Sequence, residues 1–221
     1  VPCSSDDVRG QFYQDSPDAG HYARLHRSNV VPGLGPIPCP VMLIGEAPGF
    51  NEDREAVPFV PSAQAGRVLA ECLNEVGLCR LVPPQGLDEY WYCPSHQQEF
   101  DPPLSTCAAV YMTNMVKCRP ENNKIDRFPD AIETCKTEWL WDEIAAVRPK
   151  VVVCLGKVAA QPWFGSVGSL AFRQSQYSVY NQPHALFIHA PHPSNIARGA
   201  RENRPKLIEA LRVAKQVGYK R

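Results

Sequence analysis

The chain has 221 residues, with 23 Lys and Arg against 23 Asp and Glu, so its formal net charge at pH 7 is zero. This length suits one domain with a substantial core, and the balanced charge excludes a global attraction to nucleic acid. No run of about 18 apolar residues is present, and residues 1–7 lack a basic patch leading into an apolar run. We therefore expect a cytoplasmic protein without a secretion signal or a membrane span.

Apolar patterns along the chain predict alternating strands and helices. The predicted elements, in chain order, are a strand over 41–44, a helix over 65–76, a strand over 110–116, a helix over 130–147, a strand over 151–155, a helix beginning over 156–161, a strand over 185–189 and a helical tail over 196–217 interrupted near Pro205. This alternation predicts a three-layer α/β/α sandwich with a central, mainly parallel sheet of about four strands.

One segment breaks the alternation. Residues 79–106 are rich in proline and polar side chains and are too long for an ordinary connection. We interpret them as an insertion within a single domain that spans residues 1–221.

Polar side chains follow three of the predicted strands. The first strand leads into Glu46, the second into Asn114 and the fourth into His192. In an open parallel sheet, ligands bind beyond the carboxyl ends of the strands. The sequence therefore predicts that a carboxylate, an amide and an imidazole meet at one edge of the sheet.

The residues around these positions match a known family in order. The matching runs are GEAPG at 45–49 with ED at 52–53 and PFV at 58–60, TN at 113–114 with VKCRP at 116–120, LGKVA at 155–159, and HPS at 192–194 with Arg198. Together they resemble the motifs of family 4 uracil-DNA glycosylases. The resemblance implies an enzyme that flips uracil out of single- or double-stranded DNA and hydrolyses its N-glycosidic bond to leave an abasic site.

The resemblance also implies residue roles. His192 would donate a hydrogen bond to uracil O2 as negative charge builds on the leaving base, and Glu46 would place or activate water or stabilise the sugar cation. Asn114 would read the base edge, since its amide offers an acceptor to N3–H and donors to O4. The remaining substrate-binding residues would be Ala47, Gly49, Phe59, Ser194 and Arg198. Phe59 would stack on the flipped ring, although a phenylalanine in a proline-flanked loop is ordinarily a core residue.

Two basic runs beside these motifs are candidates for phosphate contacts. They are Lys117, Arg119, Lys124 and Arg127, and Arg198, Arg201, Arg204 and Lys206. We expect a monomer that binds uracil-containing DNA.

The sequence departs from the family in the loop over the base. Phe50-Asn51 follows Gly49 where the family commonly has a small polar or acidic residue, and residues 61–64 lengthen the spacing after Val60. Two alternatives therefore stay open. One is a catalytically weak member that binds uracil-containing or single-stranded DNA, and the other is a glycosylase for another deaminated or modified base.

The chain has nine cysteines, which in a reducing compartment indicate metal binding or burial. The family carries a structural four-cysteine iron–sulfur cluster, and Cys118 and Cys135 fit its downstream half. Gly20 and Ala23 stand where the upstream pair is expected, which leaves Cys3, Cys79, Cys93 and Cys107 to complete the [4Fe-4S] cluster or form another site. Of these we propose Cys3 and Cys93 as the other two cluster ligands. The alternative is a zinc site formed by Cys79, Cys93, His96 and Cys107. Apolar surroundings predict that Cys39, Cys72 and Cys154 are buried for packing.

Overall fold

A five-stranded sheet is the centre of the protein. The computed structural model describes residues 30–82, 90–92, 110–125, 129–164, 173–177 and 185–220. The strands are β1 (Val41–Gly45), β2 (Arg80–Val82), β3 (Tyr90–Tyr92), β4 (Tyr111–Asn114), β5 (Val151–Leu155), β6 (Arg173–Tyr177) and β7 (Ala185–Ala190). The helices are α1 (Phe50–Glu55), α2 (Gln64–Glu75), α3 (Pro129–Cys135), α4 (Trp141–Val147), α5 (Lys157–Phe164), α6 (Pro193–Ala197) and α7 (Arg204–Gly218).

The strand order confirms the predicted parallel sheet. The strand order in the sheet is β4-β1-β5-β7-β6. The first four strands in this order, β4, β1, β5 and β7, are parallel to one another. The edge strand β6 is antiparallel to β7 and was not predicted. Its sequence, RQSQY, is polar and lacks the apolar run by which the other four strands are recognised.

The two faces of the sheet explain the uniformly apolar strands. Along β1, Val41 and Leu43 pack in one core with α2 and α7, whereas Met42 and Ile44 pack in a second core with α4 and α5. Successive strand residues point to opposite faces, so a strand covered on both sides is apolar throughout. The three-layer α/β/α sandwich is therefore confirmed.

Two predicted helices have internal breaks. The predicted helix over 130–147 is α3, a π-helical segment over Lys136–Leu140, and α4. The helical tail consists of α6, a short 3-10 turn at Arg201–Asn203, and α7. Pro205 lies in the first turn of α7, where a missing backbone N–H costs nothing, so the break falls just before it.

The predicted insertion contains local structure. Within residues 79–106, β2 and β3 pair antiparallel as a separate two-stranded sheet, and residues 83–89 and 93–106 lie outside the described part of the chain. Among the described helices, none combines the length and apolarity that crossing a membrane requires.

Candidate active site

The carboxyl ends of β1 and β4 are joined by their backbones. Gly45 and Asn114 are direct partners in the parallel register. Beyond the strands, Met115 N donates to Gly45 O at 2.9 Å, and Val116 N donates to Glu46 O at 3.1 Å. The first two motifs therefore form one continuous rim, as the sequence predicted.

Gly45 provides the close approach on which this rim depends. A Cβ atom at this position would lie 2.2 Å from Asn114 Oδ1 and 2.5 Å from Phe59 Cζ. The amide oxygen of Asn114 and the ring edge of Phe59 therefore both lie against the bare Cα of Gly45. Any side chain at Gly45 would displace at least one of them.

Glu52 connects the loop after β1 to this amide. Its carboxylate accepts hydrogen bonds from Gly49 N at 2.8 Å and Phe59 N at 2.6 Å, and from Asn114 Nδ2 at 3.3 Å. Because an ionised carboxylate only accepts, the side of the Asn114 amide that faces it is the donor. Oδ1 is thereby left above Gly45.

Burial raises the pKa of Glu52 above its ordinary value, although the three hydrogen bonds it accepts act in the opposite direction. Glu52 lies within the first motif, but the sequence alone indicated no role for it. A carboxylate three residues after Gly49, in the first turn of a helix, is a signal for capping, and Glu52 does accept from the N-cap nitrogen. Its bond to Asn114 spans 62 residues and has no local signal.

Phe59 belongs to the core at the base of the rim. Its side chain is buried in the same apolar cluster as β1 and α2, and its ring centroid lies 6.5 Å from that of His192 with the planes tilted by 37°. Its φ is 53°, an unusual left-handed conformation for a bulky residue that costs on the order of 1–3 kcal/mol. The short bond from Phe59 N to Glu52 stabilises that conformation.

His192 is held in one tautomer. It is the N-cap of α6, and its Nδ1 accepts from Ser194 N at 3.1 Å and lies 2.8 Å from Ser194 Oγ. A backbone N–H only donates, so Nδ1 carries no proton and the proton of the neutral ring is on Nε2. Burial, with a smaller contribution from the Arg198 cation, lowers the pKa of His192 to about 4. At neutral pH the side chain is therefore an uncharged imidazole with Nε2–H as its donor.

The end of β5 supports this histidine. Gly156 follows β5 with φ of 89°, and a Cβ there would lie 3.0 Å from His192 Cβ. A side chain at Gly156 would be strained and would crowd His192. The LGKVA run at 155–159 thus contributes a backbone surface against which His192 packs.

The other predicted site residues lie on the same loops. Glu46 and Ala47 are half-buried directly after β1, and Gly49 is the N-cap of α1. Arg198 is exposed at the end of α6 and donates to Asn195 Oδ1 at 2.6 Å. The predicted carboxylate, amide and imidazole thus follow or end three parallel strands of one sheet, β1, β4 and β7, with β5 between β1 and β7.

One residue of the first basic run is wrong as a candidate for phosphate binding. Lys117 is fully buried and forms an ion pair with Glu143, so it is not part of a DNA-binding surface as predicted. Arg204 is paired with Glu75 at 2.9 Å, which partly neutralises its charge. Arg119 is half-buried and Lys124 is exposed, while Arg127 lies outside the described residues.

Lys117 instead belongs to a polar network below the rim. Its Nζ donates to Thr113 Oγ1 at 2.6 Å and to Glu143, while Thr113 Oγ1 and Tyr111 OH donate to the Glu143 carboxylate at 3.0 and 3.3 Å. Thr113 immediately precedes Asn114. The network therefore ties the end of β4 to α4 across the sheet interior.

Cys118 and Cys135 belong to the same buried cluster. Both are fully buried thiols in one small apolar cluster that also contains Val116, Ile125, Ala131 and Trp139. Val30, the first described residue, forms a β-bridge with Cys118. Cys3 and Cys93 lie outside the described residues, within which no group of three or more candidate metal ligands occurs.

Four other cysteines lie in the described part of the chain. Cys39, Cys72 and Cys154 are buried in the two main cores, which confirms their packing role. Cys79 is disulfide-bonded, so in this structure it is not available as the zinc ligand of the alternative site. The remaining ligands of that site, Cys93, His96 and Cys107, lie outside the described part of the chain.

Comparison with known proteins identifies similar chains. A family model described as the uracil DNA glycosylase superfamily matches residues 32–214. Among curated relatives, a type-4 uracil-DNA glycosylase of Archaeoglobus fulgidus is 37% identical over 62% of this chain and 54% of its own length. The corresponding protein of Saccharolobus solfataricus is 36% identical over 59% of this chain and 47% of its own length. The chain thus spans about half the length of these two relatives.

A relative of another type aligns over more of the chain. A type-5 uracil-DNA glycosylase of Pyrobaculum aerophilum is 28% identical over 83% of this chain and 74% of its own length.

Proposed function

This chain belongs to the uracil DNA glycosylase superfamily, and we propose that it is a DNA-repair glycosylase that hydrolyses the N-glycosidic bond of deoxyuridine. The observation that carries the proposal is a pair of oriented groups on one rim. The Asn114 amide is oriented by Glu52, and the neutral His192 imidazole is oriented by Ser194. The product would be free uracil and an abasic site in DNA.

The Asn114 amide suits the polar edge of uracil. Uracil presents a donor at N3 and an acceptor at O4. With one Nδ2–H directed at Glu52, Asn114 retains Oδ1 to accept from N3–H and its second Nδ2–H to donate to O4. Cytosine presents the opposite order, an acceptor at N3 and a donor at N4, so the orientation set by Glu52 favours uracil.

His192 would stabilise the leaving group. As the bond from the sugar to N1 breaks, negative charge spreads onto uracil O2, and a donor already aimed at that oxygen stabilises the transition state. The Nε2–H tautomer supplies such a donor, and the lowered pKa keeps the ring neutral. His192 therefore acts by hydrogen bonding, without needing to transfer a full proton.

The loop after β1 would manage water and the sugar cation. Glu46 is the carboxylate nearest the end of β1, and its charge would stabilise the oxocarbenium-like sugar or orient the attacking water together with the backbone of Ala47 and Gly49. Phe59 would line the base pocket beside His192, and Arg198 would bind a phosphate. These roles are the ones that the family resemblance implies for Glu46, Phe59 and Arg198.

We also infer that Cys118 and Cys135 supply two of the four ligands of a structural [4Fe-4S] cluster. Their burial in one cluster fits this role, and Val30, the first described residue, forms a β-bridge with Cys118. The other two ligands proposed are Cys3 and Cys93. Such a cluster would anchor loops beside the DNA, since hydrolysis needs no redox step.

The function is tested with an oligonucleotide that carries one uracil. Wild type, Asn114→Ala and His192→Ala are compared for release of uracil and for alkali-sensitive cleavage under multiple turnover, with Tyr219→Ala as a folded surface control. We expect wild type and the control to turn over, and both rim variants to lose at least about 100-fold in kcat/KM, since removal of one transition-state donor typically costs this much.

The outcomes separate the proposal from its alternatives. Binding of the oligonucleotide without any turnover by wild type would replace the enzyme with a binding protein. Turnover on hypoxanthine or another modified base, but not on uracil, would change the substrate. Equal turnover by wild type and both rim variants would place the active site elsewhere.

The cluster is tested by metal analysis and visible absorption. We expect iron and a broad charge-transfer band in wild type, both lost in Cys118→Ser and Cys135→Ser and both retained in the buried control Cys72→Ala. Zinc without a visible band would replace the iron–sulfur proposal, because Zn²⁺ has a filled d shell. The monomeric state and the cytoplasmic location stay predictions, which light scattering and cell fractionation would test.

A further inference from the structure

Phe50 is an exposed aromatic side chain at the rim. It is 58% exposed, and the only other exposed large hydrophobic among the described residues is Tyr219, at 41%. Tyr219 follows α7, whose last residue, Gly218, contacts Pro40 and Val41 at the amino end of β1. Phe50 follows the carboxyl end of β1, so the two aromatic side chains lie near opposite ends of this strand.

Two arginines flank the Phe50 ring. The Arg54 guanidinium lies 5.9 Å from the ring centroid and that of Arg119 lies 5.2 Å from it, both within cation–π range. Arg54 also pairs with Glu55 at 2.7 Å, and Arg119 Nε donates to Asn123 Oδ1 at 3.0 Å. The ring thus has one cation from its own helix, α1, and one from the segment after β4 beside it.

The position of Phe50 connects it to the candidate site. Phe50 begins α1 immediately after Gly49. Two residues later, Glu52 contacts both Asn114 and Phe59. The Phe50 ring is solvent-exposed and belongs to none of the hydrophobic clusters of the described residues. The two positive charges beside it favour the binding of a polyanion.

We propose that Phe50 is a stacking wedge that contacts the DNA base next to the flipped nucleotide, while Arg54 and Arg119 bind the flanking phosphates. This inference rests on the proposed function. Flipping costs a few kcal/mol of pairing and stacking, and an apolar side chain inserted at the base step offsets part of this cost. Stacking on an aromatic ring is tolerant of sequence, since every base has a π face.

The first test compares kcat/KM for uracil in a duplex and in a single strand. For Phe50→Ala we expect the ratio of kcat/KM on duplex to kcat/KM on single strand to fall by about 10-fold or more. Only in the duplex must the uracil be unpaired and the space that it leaves in the base stack be filled. Phe50→Trp should retain the wild-type ratio, and Tyr219→Ala is the matched control. An unchanged ratio in Phe50→Ala would overturn the wedge.

The second test does not need turnover. The probe is a duplex with 2-aminopurine beside a 2′-fluoro deoxyuridine, whose fluorine disfavours the sugar cation and so prevents cleavage. We expect wild type and Phe50→Trp to change the 2-aminopurine fluorescence on binding, and Phe50→Ala to bind without that change. If Phe50→Ala gives the wild-type signal, the inference fails. A wild type that cleaves no uracil would instead sink the proposed function, while this probe still decides the wedge.

The arginines are tested by the salt dependence of binding to the same duplex. Each phosphate contact contributes close to one unit to the slope of log K against log salt concentration. We expect Arg54→Gln and Arg119→Gln each to reduce the slope by about one. The control Arg148→Gln, at the exposed end of α4 away from the rim, should leave it unchanged. Unchanged slopes for both rim variants would remove the phosphate contacts from the proposal.

Discussion

The buried pair Lys117–Glu143 makes a quantitative prediction for stability. Replacement of Lys117 by Met keeps a similar side-chain volume but leaves the Glu143 carboxylate buried without this cation, with the hydroxyls of Tyr111 and Thr113 among its remaining partners. Breaking a buried pair from one side typically costs about 3–5 kcal/mol. For a chain of this size, 1 kcal/mol corresponds to roughly 2–4 °C in Tm, so we expect Lys117→Met to unfold roughly 6–20 °C below wild type.

The measurement is a double-mutant cycle in urea and by thermal unfolding. Glu143→Gln retains an acceptor for both hydroxyls while removing the negative charge. Because the two side chains share one interaction, the double variant should lose much less than the sum of the single losses, with a coupling of about 2–3 kcal/mol. The exposed pair of Lys136 and Glu133 is the control, and Lys136→Met should cost less than about 1 kcal/mol.

Two results would refute this reasoning. Additive losses in the cycle would mean that Lys117 and Glu143 do not act as a pair, and wild-type stability of Lys117→Met would mean that Glu143 is solvated. The same variant also checks the correction to the basic run. Since Lys117 is fully buried, Lys117→Met that remains folded should bind DNA with the wild-type dependence on salt.

Three further predictions concern the rim. Gly45→Ala should reduce kcat/KM for uracil by about 100-fold, because the new Cβ displaces Asn114 or Phe59, and a shift of about 1 Å in a positioning group costs this much; unchanged kinetics would mean that neither side chain contacts the substrate. Glu52→Gln should lower kcat/KM for uracil by about 10- to 100-fold and weaken discrimination against cytosine, because the Asn114 side-chain amide can then flip and exchange its oxygen and nitrogen. The ratio of kcat/KM on uracil and cytosine oligonucleotides, assayed side by side, measures this discrimination. The pKa of His192 is about 4 against an ordinary 6.5, so activity should not fall near pH 6.5 on acidification. The stability contributed by this residue should be present above pH 6.5 and lost as the pH falls toward 4. In pH profiles of activity and of unfolding, with His192→Ala as reference, an inflection at pH 6.5 would mean that the pKa is not lowered.

The local apolar pattern determined most of the architecture. Strands β1, β5 and β7 are covered on both faces, so each is a continuous apolar run that needs no tertiary information to be recognised. Parallel strands with intervening helices then require that the groups at their carboxyl ends meet. The sequence therefore predicted Glu46, Asn114 and His192 on one rim, and the strands that carry them, β1, β4 and β7, are parallel in one sheet.

Contacts between distant segments decided the rest. The bond from Asn114 to Glu52 joins residues 62 positions apart, and the bond from Lys117 to Glu143 joins residues 26 apart, so neither has a periodic signature. By sequence alone Lys117 is one of several cations beside a motif, and only the packing of α4 against β4 shows that it is buried. The strand β6 was missed for a related reason, since its polar sequence becomes a strand by pairing with β7 at the sheet edge. Sequence periodicity records which face of an element is apolar, whereas the partner of a buried polar group depends on which elements the fold brings together.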